Sequence, residues 1–147
     1  MSFHFSPKIV TDGLVLYLDA ANIKSYSGTG STWSDLSRNT NNGTLTNGPT
    51  FDSANGGSIV FDGINDHVNL GVRSLSGEAS FSIWLKTSVV SGDQVFFGLG
   101  SFNWSNTIGI MTSGTSITLF ASNLDNYTLG DQSLVRNGKW VNLVVTQ

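Results

Sequence analysis

The sequence predicts an all-β fold, a sandwich of antiparallel sheets, and three observations carry that expectation. Short runs rich in Val, Ile, Phe and Trp alternate apolar with polar residues and are bounded by Gly, Asn, Asp or Ser. Seventeen glycines against two prolines suit a chain with many tight turns of positive φ. No window sustains the periodicity of an amphipathic helix. At 147 residues the chain is long enough to bury a core without covalent staples.

The elements follow in order. Residues 14–18 (LVLYL) read as a first strand, and Asn22 to Tyr26 as a helical turn. Residues 27–55 form a long polar stretch rich in Gly, Asn and Thr, read as a loop held down by Trp33, Leu36, Leu45 and Phe51. Residues 58–61 and 67–70 then read as two strands around a turn of Asp62, Gly63, Asn65 and Asp66. Ile59, Phe61, Val68 and Leu70 lie on one face there, with Ser58, Val60, His67 and Asn69 on the other. The pair forms a hairpin or a corner with a carboxylate-rich tip. Further strands are expected at 81–87, 94–98, 107–112, 116–121 and 140–146, close to the spacing of a sandwich. The last of these is strongly apolar and lies at the end of the sequence, where it would leave a sheet edge open.

Composition narrows the function classes. Absence of cysteine removes disulfides, thiolate metal sites and a cysteine nucleophile, and nothing argues for an oxidising compartment. A net charge of −3 with 12% charged residues and scattered Lys and Arg supplies no phosphate-steering field, so no nucleic-acid partner is expected. The first residues lack a cationic start followed by an apolar run, so no Sec signal is expected. No apolar segment approaches the roughly 20 residues that span a bilayer, so no membrane insertion is expected.

The blocks GLVLYLDAANIKSY (13–26), TWSDLSRNTNNGTLTNGPTF (32–51), GGSIVFDGINDHVNLG (56–71), SFSIWLKT (80–87) and GKWVNLVVTQ (138–147) resemble, in this order, those of the concanavalin A-like lectin/glucanase superfamily. The nearest branch is that of laminin G/pentraxin-like domains of tailed-phage virion proteins and bacterial surface proteins. The resemblance implies a jelly-roll β-sandwich of two antiparallel sheets over 13–147, preceded by an N-terminal arm over 1–12, with the first strand near the last. It also implies that the family's last strands are missing. A non-enzymatic virion surface protein is expected, a decoration or fibre module whose partners are other virion proteins, copies of itself or surface glycans. A bacterial cell-surface adhesion domain is the alternative, and a glycoside hydrolase a further one.

Candidate site residues follow from loop chemistry. Hydrolysis of a glycoside needs two carboxyl groups across the bond, yet the chain has one glutamate, Glu78, and no strand with two acids. No catalytic residues are therefore expected. Asp62, Asn65 and Asp66, with Asp19 or Asn22, could supply oxygens to a structural calcium ion. The same residues are also what such turns demand, and that reading is preferred. No other cofactor is expected. For a glycan, Trp104 with Asn103, and Tyr127 with Asn126, combine an aromatic ring with amides in polar loops. Trp33, Trp84 and Trp140 lie in or beside patterned segments and are expected to pack in the core or on a sheet. Phe3, His4 and Phe5 make the arm 1–7 a candidate docking tail, or a disordered terminus.

Overall fold

A computed structural model describes residues 9–71, 78–89, 91–99, 108–121 and 127–146. The fold class is all-β, built of several antiparallel sheets. The chain divides into two compact units, Met1–Gly71 and Val72–Gln147. The arm 1–7 lies outside the described residues.

The first unit holds β1 (Thr32–Trp33), β2 (Gly43–Thr46), β3 (Thr50–Asp52), β4 (Ser58–Val60) and β5 (His67–Asn69). β2 pairs with β1 on one side and β5 on the other, while β3 pairs with β4. The stretch 27–55 is thus no simple loop, since it contributes three strands. Leu45 is buried, and the Tyr26 and Phe51 rings meet at 5.6 Å.

The expected strand at 14–18 is a correction. This segment pairs with no strand, because side chains from 35–41 and the Leu36 amide take its backbone groups instead. The Tyr17 amide donates to Asp35 Oδ1 at 2.9 Å, and the Val15 carbonyl accepts from the Ser37 hydroxyl and the Asn39 and Asn41 amides. The helical turn after Asn22 is present, with the Ser25 and Tyr26 amides both donating to the Asn22 carbonyl.

Asp35 is the hub of this region. Besides Tyr17, its carboxylate accepts from the Ser37 amide and hydroxyl and from the Asn41 amide. Burial pushes its pKa up, but the Ser37 hydroxyl and the three amides outweigh burial and hold it below the ordinary carboxylate range.

The second unit holds β6 (Ser80–Leu85), β7 (Gln94–Leu99), β8 (Ile108–Ser113), β9 (Ser116–Ala121), β10 (Tyr127–Asp131) and β11 (Val141–Thr146). β7 to β10 form a four-stranded meander, and β6 pairs with β11 in a separate ribbon. β10, where the sequence suggested only a polar loop, carries a register shift between Thr128 and Gly130. The core lies between these layers. Ile110, Ile117 and Val135 are buried, and Leu85, Val141, Leu143 and Val145 of the ribbon pack against them with Phe96 and Leu119. Each fully buried aliphatic side chain contributes about 2 kcal/mol of transfer free energy. The Phe81 and Phe97 rings, 4.5 Å apart, extend the layer contact.

Candidate functional site

The expected turn at 62–66 is a corner and not a hairpin, since β4 and β5 enter different sheets. The structure brings Asp62, Asn65 and Asp66 together there. Asp62 Oδ1 accepts the Ile64 amide at 2.8 Å, and Asp66 Oδ2 accepts the Asp62 amide at 3.0 Å. The Asn65 carbonyl accepts from Asn47 Nδ2 at 2.8 Å. Asp66 Oδ1 is buried with no partner among the described residues. Asp19 accepts the Ala21 amide and the Tyr17 hydroxyl, and Asn22 Oδ1 accepts the Lys24 amide, so both act within their own turn. These oxygens act as turn caps. Among the described residues no group of three or more His, Asp or Glu side chains is placed to hold a metal ion.

Of the expected glycan residues, Trp104, Asn103 and Asn126 lie outside the described residues. Tyr127 opens β10 opposite Leu119, and more than half of its surface is exposed. Phe61 departs from the expected inward row and is exposed beyond the end of β4.

Trp84 and Trp140 correct the core half of their expectation, packing in the core or on a sheet. Neither packs in the core: Trp84 is 67% exposed and Trp140 41%. Alternation explains it, because Phe81, Ile83 and Leu85 take the inward positions of β6 and leave Ser80, Ser82 and Trp84 on the outer face. On β11 the same alternation turns Asn142, Val144 and Thr146 outward. The register sets Asn142 against Trp84, Val144 against Ser82 and Thr146 against Ser80.

This face combines a broad indole surface with amide and hydroxyl groups. Asn142 Nδ2 donates to Ser82 Oγ at 3.1 Å and reaches the Ile83 carbonyl at 3.4 Å, which fixes the amide beside the indole. Its Oδ1 accepts nothing among the described residues, so it is available to a hydroxyl donor. A rigid apolar plate bordered by uncharged hydrogen-bonding groups can stack on the C–H face of a pyranose ring and bind the hydroxyls at its edge. Period-2 alternation alone was the signal for Trp84, since it lies between the inward residues Ile83 and Leu85.

In comparisons with known proteins, the chain matches no family model, no curated protein and no solved structure.

Proposed function

We propose that this chain is a non-catalytic adhesion module of the concanavalin A-like jelly-roll type, displayed on the surface of a tailed-phage particle, and that it contacts glycans. The observation that carries the glycan reading is the outer face of the β6–β11 ribbon, with Trp84 exposed opposite the anchored amide of Asn142. The ordered sequence blocks support the fold type and the virion setting, with a bacterial surface as the alternative setting. The carboxylates of Asp19, Asp35, Asp52, Asp62, Asp66 and Asp131 each accept backbone amides in their own neighbourhoods, a capping role that favours binding over acid–base chemistry.

A second reading, bridging between subunits of the particle, is favoured by the edges of the same ribbon. Among the described residues β6 and β11 hydrogen-bond only to each other, and unpaired edges accept further strands.

Screening the full chain on a glycan array tests adhesion. Retention on a defined set of polysaccharides, lost on Trp84→Ala, is expected. Absence of retention on every glycan, with self-association or binding to particle proteins instead, would favour bridging. Hydrolysis of a glycan that disappears with Glu78→Gln would contradict both.

A further inference from the structure

We infer that the outer face of the β6–β11 ribbon binds an acidic polysaccharide, one built of uronic acids, with Trp84 and Trp140 each carrying one sugar and Lys86 pairing with a carboxylate. The inference rests on reading this face as a glycan surface. It adds the class of glycan and two further residues that take part.

Alternation carries the face past the ends of the strands. Lys86 follows Leu85, and Trp140 precedes Val141, the pair that closes the ribbon at this end. Beyond them the Gly138 amide donates to the Thr87 carbonyl at 3.0 Å, so the two chains stay side by side there. Lys86 and Trp140 lie between these two points of contact. Lys86 continues the outward row of Ser80, Ser82 and Trp84, and Trp140 that of Asn142, Val144 and Thr146. Both are exposed. Trp140 is two residues from Asn142, the cross-strand partner of Trp84. The two indoles are therefore diagonal neighbours, roughly 7–8 Å apart along the backbone, and can take successive sugars of one chain. Lys86 borders both.

Charge selects the class of sugar. In the segments 78–89 and 137–146 the charged residues are Glu78, Lys86 and Lys139, all exposed. Both lysines lie at the tryptophan end, and Glu78 lies beyond Ser80 at the other. Among the described residues neither lysine enters an ion pair or a side-chain hydrogen bond. A carboxylate on the rim of a pyranose comes within reach of the Lys86 ammonium when the C–H face of that ring lies on an indole. Sulfate and phosphate esters favour a guanidinium fork. Among the described residues of this unit the arginine present, Arg136, is buried. The complement is thus a carboxylate sugar.

Calorimetric titration of the full chain with polygalacturonate, alginate and hyaluronate, each beside its carboxyl-reduced form, tests the assignment. At least one acid should bind about threefold or more tighter than its reduced form at low salt, the size expected of an exposed charge pair. The gap should shrink as salt is raised to about 0.3 M and disappear in Lys86→Gln. Trp140→Ala should weaken both forms about tenfold, as Trp84→Ala does. Should Trp140→Ala fail to fold, Lys86→Gln decides. Failure of all three acids to bind, equal binding of acid and reduced forms, a preference unchanged in Lys86→Gln, or full binding in Trp140→Ala overturns the inference. If neutral glycans on the array still bind through Trp84 in that case, the adhesion reading stands without it. If no glycan of either kind binds, both fall.

Discussion

The guanidinium of Arg136 donates to the hydroxyl of Thr112, a side chain with no exposed surface, and to the carbonyl of Gly92. Arg136 is itself only 8% exposed, and its Nε has no partner among the described residues. Thr112 Oγ1 also accepts the Gln94 amide at 3.2 Å. One hydroxyl thereby joins the segment after β10 to β7 and β8, and among the described residues the buried cation is held by neutral acceptors.

Removing that acceptor should cost more than removing the charge. Thr112→Val leaves a buried guanidinium and a backbone amide short of a partner and should destabilise by about 2–4 kcal/mol. Arg136→Met deletes the charge together with its desolvation penalty and should cost about 1 kcal/mol. Urea unfolding of the two variants checks the order, and a Thr112→Val protein as stable as the parent would refute it.

Asp35 predicts an acid limb of stability. Its pKa is lower in the folded protein than the ordinary carboxylate value, so its contribution is fully present above the unfolded value near pH 4. The contribution is lost as pH falls through the folded value. Because the residue is only half-buried, solvent screening trims the effect to about 1 kcal/mol. Asp35→Asn should lower stability at neutral pH and flatten the loss below pH 4, as followed by thermal melts from about pH 7 to pH 2.

Gly57 and Gly48 share a positive φ but differ in surroundings. At Gly57 (φ 133°) a Cβ would come within 2.8 Å of the Ala20 carbonyl and 3.0 Å of the Phe51 ring, whereas at Gly48 (φ 108°) it meets nothing within 4 Å. Gly48→Ala should cost about 1 kcal/mol from backbone strain alone. Gly57→Ala should cost at least about 2 kcal/mol, because the 13–26 segment must also shift. Equal losses in calorimetry would contradict the close approach.

Ile110 lies at the centre of the second unit's core at 2% exposure. Ile110→Ala should destabilise by about 3–4 kcal/mol, while Val144→Ala, on the exposed face of β11, should change stability by less than about 0.5 kcal/mol. Similar losses for both would mean that the layers are assigned to the wrong faces.

The second half of the chain was legible because its strands are apolar runs bounded by turn residues, alternating strictly in β6 and β11 and interrupted by a register shift between Val95 and Phe97 in β7. β6, β7, β8, β9 and β11 all fall within two residues of their expected bounds, each placing apolar residues such as Ile83, Ile110 and Leu143 on one side. β2 was not legible, since Gly43-Thr44-Leu45-Thr46 has one large apolar residue and its burial depends on neighbours. β10 was obscured by Gly130 and its register shift. Residues 14–18 look more strand-like than any of these, yet side chains of Asp35, Asn39 and Asn41 and the Leu36 amide satisfy their backbone, a tertiary effect no local pattern encodes. The candidate site was half legible. Alternation turns Trp84 outward, but only the β6–β11 register, which joins residues nearly 60 apart, shows that Asn142 lies beside it.

Trp84 is thus read as a contact surface and not a packing residue. Surface plasmon resonance of the parent protein and Trp84→Ala over one immobilised array-positive polysaccharide, with melting temperatures taken in parallel, tests it most directly. Binding should fall at least about tenfold, on the order of 1.4 kcal/mol, while the melting temperature stays within a degree or two. Undiminished binding, or a binding loss that accompanies a collapse in melting temperature, would contradict it.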